Sequence, residues 1–124
     1  MRRAVVGSGI SHVLFAFFAM GAWAFYINLD HGAERAFLAA MTQGSASALI
    51  TALMKRSLDA MFRALAASPW RRILPWLATT AAAASGLIAY HLATGTPNLL
   101  ATISVPLCVS TSYAVVYTQM LART

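Results

Sequence analysis

ILPWLATTAAAASGLIAYHLATGTPNLLATISVPLCVSTSYAVVYTQMLA, Ile73 to Ala122, is fifty residues long and contains no Asp, Glu, Lys or Arg. As one helix it would reach about 75 Å, more than twice the roughly 30 Å hydrocarbon core of a bilayer. It must therefore fold back on itself. Thr94-Gly95-Thr96-Pro97-Asn98 is a cluster of turn-forming residues and supplies the break. The sequence thus predicts two membrane-length helices here, near 73–93 and 99–121.

Working outward, Ala4 to Leu29 is a second charge-free run and Ala36 to Met54 a third. Roughly 20 residues suffice to cross a bilayer. These runs predict spans near 8–27 and 36–54. The expectation is an all-α integral membrane bundle, one domain over 1–124, with four transmembrane helices in two hairpins. Composition agrees: 60% of the 124 residues are hydrophobic and only 10% charged, where a soluble domain carries about a quarter charged. Disorder is excluded as well, because it needs low hydrophobicity and high charge.

Placement of charge sets the orientation. Arg2 and Arg3 precede the first span. Lys55, Arg56, Arg63, Arg71 and Arg72 lie between the second and third, and Arg123 follows the fourth. With four spans, eight of the nine basic residues fall on one side and only Arg35 on the other. Basic residues favour the cytoplasmic side, so both termini and the 55–72 linker are expected there. That distribution suits an inner (plasma) membrane of a bacterium. A nucleic-acid binder would instead gather its net charge of +6 on one solvated surface. Arg2-Arg3, an apolar stretch and Ala22-Trp23-Ala24 imitate a signal peptide. However, the apolar run exceeds a normal leader core, and its removal would leave three spans with a poorer charge balance. Trp23, Tyr26 and Tyr90 at outer ends, with Trp70 and Trp76 at an inner end, suit an interfacial belt.

Ser68 and Pro69 read as the N-cap and first residue of the third helix. Leu58, Met61, Phe62 and Leu65 recur at helical spacing opposite Lys55, Arg56, Asp59 and Arg63. The linker is therefore an amphipathic helix continuing span two, with Asp59 and Arg63 as an i,i+4 pair. Anionic lipid is its expected partner, and a docking protein the sharper reading.

Polar groups inside a membrane are expensive and are the place to look for function. No charged residue falls within any predicted span. The small multidrug exporters are similar in length and span count but rely on a buried acid in their first helix, which this chain lacks. Small fluoride channels are similar in size but insert in both orientations, which the charge bias here opposes. Neither comparison supplies a shared motif. His12 and His91 lie at opposite depths and cannot share a haem. His31 and His91, with Asp30 and Glu34, form a weak candidate divalent-metal set. The same turn acids equally suit a helix N-terminus, where the macrodipole favours negative charge. The single Cys108 excludes an intramolecular disulfide framework.

Uncharged polar residues form two stripes. Span two carries Ala40, Gly44 and Ala48 at small-xxx-small spacing, with Gln43, Ser47 and Thr51 beside them. Span four carries Ser104, Cys108, Thr111 and Thr118 on one face. Such stripes serve as helix-packing surfaces or as the wall of a polar pathway. Pro106 removes one hydrogen bond within the fourth helix. No acidic pair, phosphate loop or nucleophile-base set occurs, so neither catalysis nor a cofactor is expected. Two functions remain: a transporter, channel or transporter subunit for an uncharged or amphiphilic solute, and a non-catalytic accessory subunit of a larger membrane complex. The small-residue faces point to a homo-oligomer or a partner helix in either case.

Overall fold

The computed structural model describes residues 2–124, with side chains from residue 9 onward. The side chains of Arg2 and Arg3, used above for orientation, lie outside the described set. Four helices follow in order: α1 (Arg2–Asn28), α2 (Ala33–Ala64), α3 (Leu74–Thr94) and α4 (Leu99–Arg123). Short 3-10 turns occupy Leu29–His31 and Pro69–Arg72, and no strand occurs among the described residues.

The breaks have local causes. Gly32 joins α1 to α2 at φ 100°, and Gly95 ends α3 in the left-handed region at φ 74°. Both are backbone conformations that side chains resist. The amides of Gly95 and Thr96 both donate to the His91 carbonyl, closing the last turn of α3. Pro97 then stands before α4, where it cannot extend a helix. By contrast, nothing interrupts α2 between the apolar run Ala36–Met54 and the amphipathic segment. Its 32 residues form one helix about 48 Å long.

Two local expectations need correction. Ser68 caps the 3-10 turn, not α3: its Oγ accepts from the Trp70 amide at 3.2 Å. The third helix starts at Leu74, with Pro75 in its first turn. Asp59 is engaged by Lys55 at 3.1 Å rather than by Arg63, and it also accepts from the Tyr117 hydroxyl at 2.7 Å. Lys55 lies one turn back on the same face, and Tyr117 of α4 holds the carboxylate toward that side.

Helix α2 packs against α1, α3 and α4, and α4 against all three others, whereas α1 and α3 do not touch among the described residues. The α2–α4 pair is thus the centre. Near the linker end its core is apolar: Met54, Leu58 and Ala114, covered by Ile50, Trp76 and Tyr117. Toward the 28–33 and 94–98 turns the interior becomes polar. Large apolar side chains point outward, among them Phe15 at 71% and Phe18 at 68% exposure. Helices α1, α2 and α4 are each long and apolar enough to cross a membrane. At 21 residues α3 has the length, about 31 Å, but Thr79, Thr80, Ser85, Tyr90 and His91 lower its hydropathy.

Burial alone would raise the Asp59 carboxyl, but the Tyr117 hydroxyl and the Lys55 ammonium together hold it below the usual carboxylate range. A carboxylate depressed in this way stabilises the fold above its unfolded pKa. It loses that contribution as pH falls through the folded pKa. Acidification below the ordinary carboxylate range should therefore loosen the α2–α4 junction. The change should appear in the near-ultraviolet dichroism of the stacked Tyr113–Tyr117 pair, and Asp59→Asn should remove this pH dependence.

Candidate functional site

An amide side chain has more hydrogen-bonding groups than its own helix can satisfy, so in an apolar setting it turns inward to find partners. Gln43 of α2 and His91 of α3 do so, and both are fully buried. His91 Nε2 lies 2.8 Å from Gln43 Oε1, and Gln43 Nε2 donates to Ser47 Oγ at 2.7 Å. An amide oxygen only accepts, so His91 carries its proton on Nε2. Its Nδ1 then accepts from the Thr96 hydroxyl, 2.6 Å away. One directional chain results: Thr96 to His91 to Gln43 to Ser47. It ties the α3–α4 turn to the middle of α2. The Thr42 and Thr94 hydroxyls, 3.2 Å apart, add a rung beside it.

A second cluster ties α1 to α4. Buried Asn28 donates to the Ala24 carbonyl and to Thr102 Oγ1, both at 2.8 Å, and accepts from the Asn98 amide at 3.0 Å. Asn98 Nδ2 returns to the Ile27 carbonyl at 2.7 Å and to Asp30 Oδ1 at 3.1 Å. The hydrogen bond from His31 holds the Asp30 carboxyl below its ordinary range, with Asn98 contributing.

The predicted residues therefore divide. Gln43, Gly44, Ser47 and Thr118 are buried, Thr51 and Thr111 half-buried. Ser104 and Cys108 are exposed, so the stripe chosen on span four leaves the bundle in its first half and meets it at Thr118. The inward face of α4 is Thr102, Ile103, Pro106, Ala114 and Thr118. The candidate metal set is split: His31 sits exposed on Asp30 at 3.0 Å, Glu34 is exposed, and His91 is turned onto Gln43. No group of three His, Cys, Asp or Glu side chains converges among the described residues. In the linker, Lys55, Arg56, Arg63 and Arg72 are exposed, while Arg71 lies over the Phe62 ring, 4.2 Å from its centroid. Asn28, Asn98 and Thr102 escaped the sequence reading. For the two asparagines the signal was the scarcity of carboxamides in an apolar chain; Thr102 carried none.

Beside this interior, α2 and α3 leave a lateral groove of about 540 Å³ between them. Leu49, Ile50, Leu53 and Met54 wall one side, and Ala82, Ala83, Gly86 and Leu87 the other. Ser45 and Tyr90 close one end with their hydroxyls 3.2 Å apart, and Ser57 and Thr79 stand at the opposite end. A Cβ built on Gly86 meets nothing within 4 Å, so the α3 wall is open at its middle. No protein-family model, curated protein or solved structure matches this chain.

Proposed function

We propose that the protein is a four-span integral membrane protein, both termini and the 55–72 linker cytoplasmic, that binds and carries an amphiphilic molecule in the α2–α3 groove. The groove carries this reading. Ligand sites are typically 300–1,000 Å³, mostly apolar, with a few placed polar groups. At about 540 Å³, with hydroxyls confined to its ends, the groove has that form. The Gln43–His91 chain acts as a brace between the groove's two walls, and the Asn28–Thr102 cluster braces α1 against α4; neither is the path itself. A bacterial inner membrane matches the bias of basic residues.

Photolabelling tests it. Phosphatidylcholine bearing a diazirine on one acyl chain should label Leu49–Leu53 and Ala82–Gly86 above the outward faces of α1 and α4. Gly86→Leu, which fills the groove from its open side, should suppress that labelling. Uniform labelling of all helix faces would overturn the groove as a binding site.

The four-span topology is tested separately. Cysteine labelling, in a Cys108→Ser background, after Arg35, Arg72 and Arg123 should place only the first outside. An outside C-terminus contradicts four spans.

The accessory-subunit reading has one observation in its favour. Ile10, Leu14, Phe15 and Phe18 of α1 are large, apolar and exposed, a surface that a partner helix or a second copy would cover. An α1 face protected from the lipid label, with none in the groove either, would favour it.

A further inference from the structure

The groove is polar at both ends, but an arginine lies within one helical turn of only one of them, and this asymmetry gives its occupant a direction. Ser45 and Tyr90 are already bonded to each other. At the other end the α2 wall runs through Leu49 and Leu53, and three residues later on the same face comes Arg56. Arg56 is exposed, next to groove-lining Ser57. The neighbouring cation, Lys55, is committed to Asp59 at 3.1 Å, and that carboxylate also holds Tyr117. Asp59 is thus occupied, and Arg56, exposed one residue from this end, carries a donor fork suited to phosphate. From Ser45 to Ser57 α2 rises about 18 Å, a length that suits one acyl chain more than a compact solute.

We infer that the groove seats one acyl chain of an anionic phospholipid from the cytoplasmic leaflet, its phosphate held by Arg56. This rests on the amphiphile reading above and specifies its ligand class and polarity. Seated this way, the headgroup lies at the cytoplasmic interface and the chain end meets the Ser45–Tyr90 contact.

The test uses the full chain in bilayer nanodiscs with two photoreactive lipids of identical acyl chains, phosphatidylglycerol and phosphatidylcholine. Wild type should label the groove about fivefold more with the anionic lipid, the preference expected of one basic residue near the surface. Arg56→Gln should bring that ratio close to one while phosphatidylcholine labelling is kept. Arg123→Gln, the same charge change away from the groove, should leave the ratio intact. Equal labelling by both lipids in wild type, or an equal loss in Arg123→Gln, overturns the Arg56 headgroup site and leaves the groove standing. Undiminished labelling by both lipids in Gly86→Leu overturns the groove and the inference together.

Discussion

Gly44→Leu will separate α1 from α2 and lower the thermal stability of the detergent-solubilised protein more than any other single substitution in α2. A Cβ at Gly44 would stand 2.9 Å from the Phe17 carbonyl oxygen and 3.3 Å from two Phe17 ring atoms. The nearest atom is helix backbone, which cannot rotate away. Across the same interface, a Cβ at Gly21 would meet the Ala40 carbonyl oxygen at 3.1 Å and the Gly44 Cα at 3.7 Å. The two glycines interlock, and small residues are what permit such an approach in a membrane. Overpacking a fitted site costs about 1–3 kcal/mol for one or two added carbons, and leucine adds four. Gly44→Ala should show the smaller end of that range, partly offset by the roughly 1 kcal/mol gain in helix propensity. Gly86→Leu is the counterpart: its side chain enters open space, so stability should hold or rise. Thermal unfolding of the three variants checks the ordering. Equal melting of Gly44→Leu and wild type would mean that α1 does not seat on this face.

That contrast shows what the sequence made legible. The charge-free run from Ile73 and its Gly-Pro break gave the second hairpin. The Ala40/Gly44/Ala48 spacing gave a close-packing face without saying which helix would meet it. The inward face of α4 was not readable, for two physical reasons. In a membrane helix, lipid-facing and core-facing sides are both apolar, so periodicity says little. Hydroxyls do not mark the inside either, because they satisfy themselves on their own helix. Exposed Ser104 donates to the Ala101 carbonyl at 2.7 Å, and buried Thr118 does the same to Ala114 at 2.8 Å. Carboxamides and imidazole cannot close their bonding this way. Gln43, Asn28 and His91, each bonded to a second element, were the better markers and are inside, whereas His12 and His31 are exposed. The groove was not legible at all, since it depends on how the small residues Ala82, Ala83 and Gly86 of α3 come to stand opposite α2.

Gln43→Leu is expected to be the costliest loss of polar contact between α2 and α3, because Gln43 serves two buried partners at once, His91 and Ser47. The substitution leaves the His91 Nε2 proton without an acceptor and removes the donor to Ser47, both in a buried setting. An orphaned buried group costs about 1–3 kcal/mol. Interhelical hydrogen bonds within membranes average only about 0.6 kcal/mol, since the unfolded chain also finds partners there. The two figures decide between a brace and ordinary packing. A double-mutant cycle of Gln43→Leu with His91→Leu, read by denaturant titration in micelles, should return a coupling above about 1 kcal/mol. Thr118→Val, which loses one bond within its own helix, should stay near or below about 0.6 kcal/mol. Nitrogen chemical shifts of the imidazole supply an independent readout: Nε2 protonated in wild type, as the Gln43 oxygen requires, and a mixture of tautomers once that oxygen is gone. A coupling no larger than the membrane average, with the tautomer unchanged, would mean that the chain from Thr96 to Ser47 does not brace α3 against α2. The groove between those helices would then have to be held by the apolar core around Leu58 and the Thr42–Thr94 and Ser45–Tyr90 hydroxyl contacts.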